Sequence, residues 1–163
     1  MSPVRQDYLL KMIEGAFEVL RRIRKRRQDG DAAGAIRDAD AAADDLLGPM
    51  AAIAARMDPF TAAQLLRDPE RVTLWARILA EKAGALRDSG HDARPTGRRA
   101  LELAIEAWLL EDDQRRLTAT LREVLAEALA MTRDWAAPEE LAARHRAALA
   151  DALRYLPPVP AAE

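Results

Sequence analysis

Apolar side chains recur along this chain at steps of three and four residues, segment after segment, and only an α-helix puts such positions on one face. In the first segment Leu9, Ile13, Ala16, Leu20 and Ile23 form the stripe, widened by Tyr8, Met12 and Phe17. The pattern predicts a helix over residues 4–28, ended by Gly30, with Asp31 placed to cap the next. That second helix turns Ala32, Ile36, Ala39, Ala43 and Leu46 inward and stops at Gly48-Pro49. A short helix over residues 50–56 and one or two turns over residues 62–66 follow. Asp68-Pro69-Glu70 is a clear start signal for a helix to Asp88, with Val72, Trp75, Leu79 and Leu86 inward. Pro95 opens a helix to Leu110 with Leu101, Ala104, Ile105 and Trp108 inward. The next runs from Asp113 to Thr132 on Leu117, Leu121, Val124 and Ala128, and Pro138 opens a last one to Tyr155. No segment reads convincingly as a strand. The expected fold class is all-α, seven or eight helices packed largely as antiparallel neighbours. Residues 1–156 read as one helical domain, and Pro157-Pro158-Val159-Pro160 begins a proline-rich mobile tail that runs to residue 163.

Two stretches share a finer pattern. One passes through Gly30-Asp31-Ala32-Ala33 to Ala35, Ala39 and Ala42; the other passes through Ser89-Gly90-His91-Asp92 to Ala100, Leu103, Ala104 and Ala107. This is the grammar of a tetratricopeptide-type hairpin, in which small residues mark where paired helices touch. The second copy carries an insertion of about five residues between Gly90 and Ala100. Two copies are fewer than the three or more a solenoid needs. The expectation is a tetratricopeptide-like array of antiparallel helical hairpins, with a plain helical bundle as the alternative.

The opening run Asp7-Tyr8-Leu9-Leu10-Lys11-Met12-Ile13-Glu14 resembles the start of an uncharacterised bacterial family of tetratricopeptide-like helical proteins. Asp68-Pro69-Glu70-Arg71, Leu79-Ala80-Glu81 and Gly84 resemble that family's second half, so the likeness spans roughly residues 5–110. Gly15 departs from the motif, which continues with glutamine. The resemblance implies a helical fold and no known activity, and it carries no functional residues.

Composition excludes several kinds of chemistry. With 25 basic and 27 acidic residues the net charge is −2, so no global field draws the chain to nucleic acid or to an anionic membrane. There is no cysteine, which removes disulfides, thiol catalysis and the common structural zinc sites. No apolar run approaches the roughly 20 residues of a membrane span, and Arg5, Asp7, Lys11 and Glu14 stand where a signal peptide needs an apolar stretch. The expected location is the cytoplasm. No glycine-rich phosphate loop or nucleophile-elbow motif is present, so no cofactor and no catalytic residue is assigned.

The strongest charge feature is the basic run Arg21, Arg22, Arg24, Lys25, Arg26, Arg27. The following helix carries Asp29, Asp31, Asp38, Asp40, Asp44 and Asp45, and an antiparallel hairpin returns some of these acids to the basic segment, so a self-neutralised face is expected. His91 reads as a solvated loop residue, and His145, between Leu141 and Leu149, as a hydrogen-bonded core residue. Trp75 and Trp108 lie on inward stripes, while Trp135, in an interhelical break, is the tryptophan suspected of exposure. Three functions follow. The first is an interaction module or small scaffold that buries a protein or peptide, or a second copy of itself, through Arg22, Arg26, Trp135 and Arg144. The second is a metal-dependent all-α nucleotide phosphohydrolase in which Asp40, Asp44, Glu102 and Glu106 form a carboxylate cage. The third is a helical DNA-binding regulator using a helix-turn-helix within residues 50–88.

Overall fold

The computed structural model describes residues 2–161, and every regular element in that span is helical. The helices are α1 (Pro3–Gln28), α2 (Ala32–Leu47), α3 (Ala51–Ala54), α4 (Pro59–Leu66), α5 (Pro69–Asp88), α6 (Arg94–Gln114), α7 (Ala119–Thr132) and α8 (Ala143–Tyr155). Single 3-10 turns lie at Gly48–Met50, Arg133–Trp135 and Pro138–Glu140. No helix is long and apolar enough to cross a membrane among the described residues.

Asp31 and Asp68 act as the sequence predicts, accepting hydrogen bonds from the backbone N–H of Gly34 and Arg71, and Asp58 does the same for Thr61 at the head of α4; each satisfies a donor that the first turn leaves open. Gly30 and Gly90 take positive φ (78° and 75°) to end α1 and α5, a conformation that costs glycine nothing.

Several boundaries differ from expectation. α6 runs past Leu110 to Gln114, and α7 begins at Ala119 rather than Asp113. Arg115 takes a left-handed conformation (φ 50°), which stops α6, and the buried Glu111 carboxylate accepts the N–H groups of Arg116 and Leu117 at 2.6 and 2.8 Å. Those bonds hold residues 115–118 as a loop until Thr118 caps α7. Likewise Pro138 starts only one 3-10 turn. Glu140 bends back to accept from the N–H of Ala137, Leu141 is extended, and α8 begins at Ala143.

The inward faces are close to those predicted. α1 buries Leu9, Ile13, Ala16, Leu20 and Ile23, but Tyr8 is 56% exposed, its hydroxyl accepting from Arg71 at 2.9 Å. α2 is rotated from the expected face: Gly34, Ala35, Ala39, Ala42 and Leu47 are buried, while Ile36, Ala43 and Leu46 sit half-buried at the edge. The core centres on α5, which packs against α1, α2, α4, α6 and α7. A large cluster around Trp75, Leu101, Leu103 and Leu125 joins α5, α6 and α7, and a smaller one (Leu20, Ile23, Ala35, Ala39, Ile78, Ala85) joins α1, α2 and α5. Residues 157–161 carry no helix, and Pro157–Pro160 line a hollow together with Ala126 and Leu129 of α7. The last two residues of the predicted tail, Ala162 and Glu163, lie outside the described residues.

Candidate partner-binding cleft between the first two helices

The basic end of α1 is neutralised from two sides. Arg26 donates to Asp38 at 2.5 Å and to Asp31 at 2.8 Å, and Arg22 reaches the same Asp38 oxygen at 3.4 Å. From α5, Glu81 receives Arg27 at 2.7 Å and Arg24 at 3.4 Å, and Asp88 takes Arg27 as well. Glu81 is 1% exposed and also holds the buried Arg77 at 2.8 Å, which continues to Glu127 of α7 at 3.1 Å. Burial would raise the Glu81 carboxyl, but Arg77 and then Arg27 outweigh it and hold it below its ordinary range. This ionic chain ties α1, α5 and α7 together. The self-neutralised face predicted for the arginines is therefore present, but its deepest acid, Glu81, comes from α5 and was not foreseen.

The four residues expected to bind a partner do not form one groove. Arg22 and Arg26 are engaged by Asp38. Trp135 is half-buried, its ring filling the space where Gly97 lacks a side chain and lying under Arg87, 5.3 Å from the ring centroid. Arg144 pairs with the buried Glu106 and stacks over Phe60 at 4.7 Å. Arg22 and Arg26 share Asp38, while Trp135 and Arg144 contact other parts of the fold.

The expected carboxylate cage is not formed. Asp40 pairs with Lys82 at 2.6 Å, Glu102 with Arg98 at 2.9 Å, and Glu106 with Arg144 and with His145 at 2.7 Å. Asp44 lines, together with Asp40 and Lys82, a hollow of about 370 Å³ over Trp75 and Leu79 that neither Glu102 nor Glu106 lines. No three acids or histidines among the described residues are grouped to hold a metal ion. Asp40 and Glu106 meet bases from neighbouring helices, and Glu102 meets Arg98 one turn back on its own helix. His145 is buried as expected, and His91 is exposed beside Ser89. The helix-turn-helix reading also loses its reading element, because α5 is buried from Val72 through Ile78 and has no free face there for a DNA groove.

One more buried group is unusual. Glu70, at the start of α5, is fully buried. Burial and the neighbouring Asp68 push it up to about 8 while Arg5 pulls the other way. Arg116 donates to its Oε1 at 3.2 Å and brings a second guanidinium nitrogen to 3.2 Å from its Oε2, without hydrogen-bond geometry there.

A further cleft, of about 360 Å³, opens between α1 and α2. Its floor is apolar: Met12, Ala16 and Val19 from α1, Ala42 and Leu46 from α2, and Ile78 of α5 beneath. Lys11, Glu18, Arg22 and Asp45 form a charged rim. Gly15 stands at its centre, in the middle of a helix, where an added Cβ would meet nothing within 4 Å. Glycine is a poor helix former, and no turn, positive φ or close neighbour requires it there. A mid-helix glycine was visible in the sequence, but nothing in the sequence alone told whether packing required it.

Compared with known protein families, curated proteins and solved structures, the chain matches none.

Proposed function

We propose that this chain is a cytoplasmic interaction module of tetratricopeptide-like character, and that it docks a protein partner in the α1–α2 cleft. The observation that carries the reading is the cleft itself: an apolar floor with a mixed-charge rim, at a point where helix α1 gives up a side chain. Two helix pairs with short connections, α1–α2 and α5–α6, support the hairpin part of the reading. The many neighbours of α5 set it apart from an array in which each unit touches only the next. The ionic chain through Glu81 supports the docking part, because it fixes the basic end of α1 against α5 and keeps the cleft wall rigid.

A photoreactive side chain placed at Asp45, on the rim, tests the reading against a control at Glu139, an exposed residue of the 3-10 turn before α8. Irradiation in cells is expected to give covalent adducts of defined mass from the rim position and none from the control. Equal labelling from both positions, or none from either, overturns the proposal.

A further inference from the structure

We infer that a second copy of the chain covers this cleft, its helix α1 packed antiparallel along the outward face of α1 about a two-fold axis. The inference rests on the reading of the cleft as a docking surface and names its partner.

The outward face of α1 is a continuous stripe spaced by four and three residues: Val4, Tyr8, Lys11, Gly15, Glu18 and Arg22, all exposed. Positions so spaced lie along one face of the helix. Two of its members are apolar and open to solvent, Val4 at 80% and Tyr8 at 56%. Gly15 lies at the middle of the stripe, where the missing side chain lets a second backbone approach closely.

The charges on this face decide orientation and partner. In the antiparallel register that places Glu14 opposite Gly15, Lys11 of one copy faces Glu18 of the other and Asp7 faces Arg22. Two-fold symmetry makes each of these pairs twice. The aromatic ring of Tyr8 then faces Arg21 of the other copy, a cation over a ring face. A parallel pairing in register would oppose Lys11 to Lys11 and Glu18 to Glu18, so repulsion excludes it. Glu18 makes no salt bridge within the chain among the described residues, Lys11 holds only an exposed intrahelical pair with Asp7 at 3.1 Å, and Arg22 reaches Asp38 at 3.4 Å while half exposed. These charges are thus available to a neighbour without breaking a buried interaction. A self-complementary arrangement of this kind is what a second copy recognises.

Sedimentation of the full chain across a wide concentration range tests the pairing. Wild type is expected to pass from monomer to dimer. Lys11→Glu sets Glu against Glu18 of the other copy, Glu18→Lys sets Lys against Lys11, and each change weakens the dimer roughly tenfold or more through two symmetry-related contacts. An equimolar mixture of the two variants restores opposite charges at both contacts and is expected to dimerise as wild type does, whereas each variant alone stays monomeric at that concentration. Circular dichroism checks that both variants keep their helix content. A wild type that remains monomeric throughout overturns the inference and leaves the docking reading to the cross-linking result. A dimer that both variants form as readily as wild type, or a mixture no better than its components, places the contact elsewhere and overturns it as well.

Discussion

Glu81 is the residue on which the arrangement of α1, α5 and α7 most depends. It is fully enclosed, yet it accepts from Arg24, Arg27 and Arg77, and its charge is balanced within the fold. Removing one partner of a buried pair leaves the other charge without compensation, which costs far more than the net worth of the pair. Glu81→Ala is expected to destabilise the chain by about 3–5 kcal/mol, seen as a lower urea midpoint. Arg77→Met with Glu81→Leu is expected to recover most of that loss, because Arg24 and Arg27 can still reach solvent while no charge stays enclosed. Equal losses in the single and double variants would show that the ion pair itself, and not the stranded arginine, supplies the stability. Nothing in the sequence marked this residue. Glu81 sits in a segment whose apolar stripe runs through Trp75 and Leu79, and on a helix with one buried face it would be solvated. It is enclosed because α5 has helices on nearly every side.

At the scale of elements, two helical glycines contrast. Gly15 faces open space, whereas the Trp135 ring fills the room beside Gly97. Gly15→Ala is expected to raise monomer stability by about 0.5–1 kcal/mol, since it removes backbone entropy from the unfolded chain and meets no neighbour. Gly97→Ala is expected to cost about 1–3 kcal/mol by pushing Trp135 from its seat. Thermal unfolding of both variants in dilute solution checks the signs, and tryptophan emission should move toward the red only in Gly97→Ala. Two changes of the same sign would overturn the packing of Trp135 against Gly97. Helix starts were legible in the sequence because a cap is a local event: Asp31 and Asp68 meet their donors three residues away. The stop of α6 was not, because it depends on Glu111 reaching forward to Arg116 and Leu117. Trp135 was suspected of exposure for a related reason, since its cover comes from α6 and from Arg87 of α5.

For the whole molecule, the pH dependence of stability follows from two glutamates displaced in opposite directions. Glu70 is raised from 4.5 to about 8 in the folded chain, so the folded state holds a proton that the unfolded state releases. Its contribution is fully present below 4.5 and is lost as pH rises toward about 8. Glu81 is lowered, so its contribution is present above 4.5 and is lost as pH falls through its folded value. Stability is therefore expected to be greatest near the ordinary glutamate range and to decline in both directions. Glu70→Gln, which mimics the protonated form, should flatten the decline between 4.5 and about 8 and leave the acid limb in place. Urea midpoints measured across that window check it. A profile unchanged by the substitution would show that Glu70 is ionised in the fold and held by Arg116.

Periodicity, caps and breakers act over three or four residues, so the order of amino acids was enough to set the helices, most of their starts, and the stripes that face inward. It was also enough to end α1 in a basic segment and to supply α2 with acids that could meet it. Which acid meets which base was settled only when the helices packed. Packing brought Asp40 to Lys82 and Glu106 to Arg144 and His145, while Glu102 pairs with Arg98 on its own helix. It likewise enclosed α5, buried Glu70 and Glu81, and left Gly15 facing an open cleft. The reason is physical: burial and charge pairing depend on neighbours tens of residues away, and a stripe on one helix does not say which other helix will cover it.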